Sequence, residues 1–243
     1  MIQIVEISKQ FGQKKAVDSL SLTIQKGTVF GFIGPNGAGK TTTLHMLTGI
    51  LAPDHGTIRL NGVDVQQNPV QAKRMYGYVP DSFTMYQRIT GCDYLRFLGD
   101  IYGVPTQEQE EHFSHYVPLF SMQEAITQPI GSYSRGMKQK LAIIGSLQHK
   151  PSIWILDEPM VGLDPQSMFT LKAEMRKQAD KGNTVFFSTH VLDVAEKLCD
   201  TIGIVSEGKL CAMGSMQALR KGHEEKSLEA LFLSIVQKTE ESK

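Results

Sequence analysis

Residues Gly34-Pro35-Asn36-Gly37-Ala38-Gly39-Lys40-Thr41-Thr42 combine glycines, one lysine and two hydroxyls in the spacing of a phosphate-binding loop. Glycines reach positive φ, so their backbone N–H groups can close around phosphate oxygens. A helix that starts directly after them points its positive dipole end at the same anion. Lys40 is placed to reach the β- and γ-phosphates, and the Thr41 hydroxyl suits Mg²⁺, a cation that prefers oxygen ligands. A ligand-free tight turn would have no use for lysine and threonine at these positions.

A second group lies far along the chain. Ser152-Ile153-Trp154-Ile155-Leu156-Asp157-Glu158-Pro159 reads as a buried strand ending in two adjacent carboxylates, and ligands of open α/β sheets bind at such strand ends. Asp157 is the candidate Mg²⁺ carboxylate, acting through water. Glu158 is expected to point the other way along the pleat, where it could take the proton of a water attacking the γ-phosphate. Alone, the pair would more often cap the following helix; together with the glycine loop it forms the two halves of a Mg²⁺–nucleotide site.

These groups need elements to position them. Val29–Ile33, Ile153–Leu156, Val185–Phe187 and Ile202–Val205 are apolar on both faces, the pattern of buried parallel strands. Thr41–Leu51 carries Leu44, Leu47 and Leu51 at helical spacing, and Asp164-Pro165 is a helix start. An α/β layer with a mostly parallel sheet follows. Asn61-Gly62 and Glu207-Gly208 mark hairpins, the first giving an antiparallel strip beside the main sheet. Residues 90–150 read as a helical lobe, with a capping-box pattern at Thr106 and Gln109. The expected layout is a nucleotide-binding core over 1–89 and 151–222, the lobe over 90–150, and a last helix over 223–243. In that helix Leu228, Leu231, Phe232 and Ile235 form a face for packing on its own domain, with a partner site as the less common alternative.

Composition narrows the function. Lys plus Arg and Asp plus Glu both number 25, so no overall field favours nucleic acid. The three cysteines, Cys92, Cys199 and Cys211, lack a CxxC spacing, which disfavours a zinc site and fits a reducing cytoplasm. No run approaches the roughly 20 apolar residues needed to span a bilayer, and no secretory leader is visible. A role at a membrane would require another chain to cross it.

Tyr133-Ser134-Arg135-Gly136-Met137-Lys138-Gln139-Lys140, just ahead of the acidic strand, gives the sequence a resemblance to the nucleotide-binding subunits of ATP-binding-cassette transporters, extending over nearly the whole chain. The octapeptide is similar to the Tyr-Ser-Lys-Gly-Met variant of that family's signature, seen among transporters with separately encoded membrane subunits, many of them exporters. The resemblance implies an α/β P-loop NTPase (RecA-like) fold and a head-to-tail dimer. In it Ser134, Arg135 and Gly136 face the γ-phosphate of ATP held by the other subunit. Independently of the family, Ser134 offers a hydroxyl and Gly136 leaves N–H groups open at a helix start.

The resemblance further implies that Asp164, in Val161-Gly162-Leu163-Asp164, lies at the dimer interface and that His190 touches the γ-phosphate. It also makes Phe11 the ring stacked on adenine, with a core phenylalanine as the other reading. Asp81 stands where the family has a Mg²⁺-contacting glutamine. Phe83, Tyr86, Tyr94 and Phe97 fall where a permease docks, or belong to the lobe's core. The implied protein is an ATPase on the cytoplasmic face of the membrane. It works with a second ATPase subunit and a permease, without nucleic acid, and in export. The rivals are a soluble ATPase of the same superfamily in translation or DNA repair, and a P-loop kinase.

Overall fold

The computed structural model describes residues 1–82, 86–220 and 228–241. The chain opens on β1 (Ile2–Phe11) and β2 (Lys14–Ile24), paired antiparallel. Strand β3 (Val29–Ile33) leads through the glycine loop into α1 (Lys40–Leu47). Next, β4 (His55–Leu60) returns to pair with β1, and Asn61-Gly62 turns it into β5 (Val63–Asp64). Both turn residues have left-handed φ, 48° and 88°, as a two-residue hairpin of this hand requires. These strands form the expected antiparallel strip, in the order β2-β1-β4-β5.

After α2 (Pro69–Lys73) and β6 (Tyr76–Val79), the chain runs through α3 (Gly91–Tyr102), α4 (Thr106–Leu119) and α5 (Arg135–Ser146), the helical lobe. It then alternates: β7 (Ile153–Asp157), α6 (Pro165–Asp180), β8 (Thr184–Thr189), α7 (Leu192–Leu198) and β9 (Thr201–Ser206). β10 (Lys209–Gly214), α8 (Met216–Arg220) and α9 (Leu228–Glu241) follow. The main sheet has the order β10-β9-β3-β8-β7-β6 and is parallel except for the β9–β10 hairpin at Glu207-Gly208.

Every residue of β3, β7 and β8 is buried, because the sheet is covered on both faces. The period of two divides their side chains between two cores. Phe30, Phe32, Ile155 and Phe186 pack with α1 and the antiparallel strip, whereas Val29, Trp154, Leu156 and Phe187 pack with the helical lobe and α6. The lobe thus shares a core with the sheet, so α5 is held at the same strand ends as the acidic pair.

Two expectations need correction. Helix α1 stops at Leu47, since Thr48 turns its hydroxyl back to the Leu44 carbonyl and Gly49 adopts φ 66°. Leu51 packs on the core from outside the helix. The capping box at Thr106 is not formed: Pro105 takes the cap position and Thr106 lies inside the first turn. Gln109 instead donates to Val104 O at 2.8 Å and to Asp100 Oδ1 at 3.0 Å, sealing the end of α3.

Leu228 of α9 is buried with Ile33, Ala195, Ile202 and Ile204, Phe232 packs against them, and Leu231 is buried as well, so this face packs on its own chain. Phe83 and the Ile235 side chain lie outside the described residues. Among the described residues no helix is long and apolar enough to cross a membrane.

Candidate nucleotide-binding site

The glycine loop is held from both sides. Gly37 and Gly39 adopt φ 80° and 97°, which side-chain-bearing residues rarely do. A Cβ on Gly34 would run into the Val205 carbonyl and one on Gly39 into the Ala16 carbonyl, so β9 and β2 press directly on the loop backbone. The Gly208 N–H donates to Ala38 O at 2.9 Å, fixing the hairpin beneath it. Helix α1 has Gly39 at its cap and no side-chain cap, so its first N–H groups face the loop's hollow. Lys40 is 7% exposed; its Nζ donates to Gly34 O at 2.8 Å and Pro35 O at 3.2 Å and stands 3.6 Å from Glu158 Oε1.

Parallel pairing sets Asp157 opposite Ser188. Asp157 is fully buried: Ser188 donates to its Oδ1 at 2.5 Å, while Oδ2 has no partner. Burial raises the Asp157 carboxyl above the usual range, opposed by the Ser188 hydrogen bond and the neighbouring Thr41 hydroxyl and reinforced by the charges of Asp81 and Glu158. A buried carboxylate oxygen left without a donor, beside a threonine hydroxyl, fits a hard divalent cation.

Glu158 is separated from Asp157 by a backbone turn rather than by pleat alternation. The strand ends at Asp157, and Glu158 takes the left-handed φ of 46°. For a non-glycine residue this conformation costs about 1–3 kcal/mol and clusters at functional sites. Its N–H donates to Ser188 Oγ at 3.0 Å, and its Oε2 lies 3.0 Å from His190 Nδ1. Ser188 therefore orders both carboxylate residues. The sequence reading passed over it; the signal was a hydroxyl directly after the apolar run Val185-Phe186-Phe187 of a buried strand.

A cavity of about 340 Å³ joins Phe11, Asn36, Gly37, Gly39, Lys40, Thr41, Thr42, Asp81 and Glu158, with Lys14 and Ala16, which sequence reading also missed. Phe11 is 52% exposed, which removes the core-phenylalanine reading. Ser134, Arg135, Gly136 and Asp164 do not line this cavity. Ser134 caps α5, its Oγ accepting the Met137 N–H at 3.2 Å.

The start of α5 is bound to the loop that follows Glu158. A Cβ on Gly136 would sit 2.5 Å from Gly162 O, Gln139 Nε2 donates to Pro159 O at 3.2 Å, and Lys140 Nζ meets Asp164 Oδ2 at 2.8 Å. Lys140 first, and then Ser167, hold the Asp164 carboxyl well below the usual carboxylate range. Arg135 Nη2 lies 3.7 Å from Asp81 Oδ1, an exposed pair between signature and cavity.

Strand, glycine loop, uncapped helix start and acidic strand end together define a P-loop nucleotide hydrolase. Comparison with known proteins carries this further: the family described as ABC transporter matches residues 17–161. The Linearmycin resistance ATP-binding protein LnrL of Bacillus subtilis (strain 168) is 35% identical over 88% of this chain and 69% of its own length. The ABC transporter ATP-binding protein NatA of the same organism is 33% identical over 96% of this chain and 97% of its own. A solved structure described as an ATP binding subunit of an ABC transporter superposes with a TM-score of 0.93, at 29% identity over 97% of this chain and 99% of that one. The chain belongs to the ABC transporter family as an ATP-binding subunit that hydrolyses ATP to ADP and phosphate and serves a separate permease.

Proposed function

We propose that the cavity takes ATP with its phosphates in the Gly34–Thr42 loop, adenine against Phe11, and Glu158 as the base that activates water. The observation that carries this is the placement of Glu158 on the cavity wall, 3.6 Å from Lys40 and 3.0 Å from His190. His190 Nδ1 orients the carboxylate, and Lys40 is the cation nearest the point where negative charge develops. Thr41, Asp157 and Asp81 would hold Mg²⁺, which when bound neutralises phosphate charge.

Ser134, Arg135, Gly136 and Asp164 serve the cavity of a second ATPase subunit. Two features support this: they lie outside their own chain's cavity, and α5 begins with a polar, glycine-bearing turn. Closing and opening of the dimer drives the permease at the cytoplasmic face of the membrane. Tyr86 and Phe97, 67% and 46% exposed with ring centroids 6.5 Å apart edge to face, form an aromatic patch for that partner. Export is the direction that fits the signature variant and the resistance named in the LnrL relative. Glu158→Gln tests the assignment: ATP binding is retained while turnover falls at least about 100-fold, as for loss of a general base. Turnover near the parent rate would remove Glu158 from the role.

A further inference from the structure

A second cavity, of about 350 Å³, lies in the seam between α4 and the end of α6. It matches the nucleotide cavity in size and shares no lining residue with it. We propose that it is a binding site for an uncharged, two-ring aromatic compound carrying a hydroxyl group.

The polar groups around this cavity are nearly all engaged with one another. Tyr116 donates its hydroxyl to the buried Glu174 at 2.9 Å, Gln178 donates to the same oxygen at 2.7 Å, and Asn183 donates to Gln178 at 2.8 Å. Among the buried groups His112 is the exception. It lines the cavity, is 6% exposed, and neither ring nitrogen has a hydrogen-bond partner. A buried polar group left in this way costs about 1–3 kcal/mol, which a bound hydroxyl would relieve. Burial lowers the His112 imidazole to about 4, so at neutral pH it is uncharged and offers one donor and one acceptor.

The walls explain the rest of the ligand. Tyr116 lies against both histidines, 4.5 Å from the His112 ring and 4.7 Å edge-on to that of His115, and an aromatic surface of this kind favours a flat ring. At the mouth Lys150 is paired with Glu108 at 2.6 Å, and the other two charged lining residues, Glu111 and Lys181, are opposite in sign, so no net charge on the ligand is demanded. An apolar cavity of about 150 Å³ accepts benzene, so a space more than twice that size accommodates two fused rings. Drug-like pockets begin at about 300 Å³.

The test compares 2-naphthol with naphthalene on the full chain, by NMR of isotope-labelled histidines with and without Mg²⁺–ATP. Saturable shifts at the His112 and His115 resonances are expected with 2-naphthol, with naphthalene about tenfold weaker and nucleotide leaving the binding unchanged. In His112→Phe the two compounds should bind alike. The proposal is overturned if the unaltered protein shows no saturable shift, or binds naphthalene as tightly as 2-naphthol. It is equally overturned if the preference for the hydroxyl survives in His112→Phe.

Discussion

Substituting Gly136 by alanine tests the bond between the signature helix and the loop that carries Glu158. The added methyl would stand 2.5 Å from the Gly162 carbonyl oxygen, whereas ordinary contact begins at 3.4 Å. Neither partner is a flexible side-chain end, so helix and loop must separate. Overpacking of this kind costs about 1–3 kcal/mol. In a chain of this length that lowers Tm by roughly 2 to 12 °C.

The larger effect falls on turnover. A displacement of about 1 Å at a catalytic group costs about 100-fold in rate, and Glu158 stands four residues before Gly162. Gly136 does not line its own chain's cavity, so the dissociation constant for a fluorescent ATP analogue should stay within about twofold, a change worth about 0.4 kcal/mol. Scanning fluorimetry, analogue titration and phosphate release separate the three quantities. Turnover within about twofold of the parent, or ATP affinity lost in step with turnover, would refute the reasoning.

Ser188→Ala should leave the second Asp157 oxygen without a donor and free the Glu158 N–H; urea unfolding should show a loss of about 1–3 kcal/mol and turnover should fall, and no change in either would discount Ser188 as their organiser. Acid should weaken the fold through His112, whose imidazole lies at about 4 in the folded chain against an ordinary 6.5. The unfolded chain binds the extra proton between those values, so stability is lost as pH falls, by about 2 kcal/mol at pH 5, and His112→Phe should lack that loss. Asp164, held below its ordinary 3.8, stabilises at higher pH and loses its contribution only beneath this window. Tyr86→Ala should reduce co-purification of the permease without altering ATP affinity; undiminished co-purification would move the docking surface elsewhere.

The main sheet was legible because a strand covered on both faces must be apolar throughout, as Ile153-Trp154-Ile155-Leu156 and Val29-Phe30-Gly31-Phe32-Ile33 are. The glycine loop was legible because its conformations exclude most other residues. Local punctuation was less so: Gly49 ends α1 before Leu51, and Gln109 serves the helix before it instead of a capping box. Contacts between distant segments had no local signal. Ser188 reaches the acidic pair across 31 and 30 residues, and Arg135 meets Asp81 only through the fold. The cause of the separation of Glu158 from Asp157 was misjudged because pleat alternation ends with the strand, and a left-handed glutamate cannot be read from Asp-Glu-Pro.

The central claim is that a complete site needs two chains, one supplying the glycine loop and the other the Ser134 turn. Glu158→Gln protein, analysed by size exclusion with light scattering as Mg²⁺–ATP is added, measures this directly. The account predicts a nucleotide-dependent shift from one chain to two, with two ATP retained per dimer, and loss of that shift in the Glu158→Gln, Ser134→Arg double variant. A species that remains a single chain at saturating ATP, or a dimer indifferent to Ser134→Arg, would contradict it.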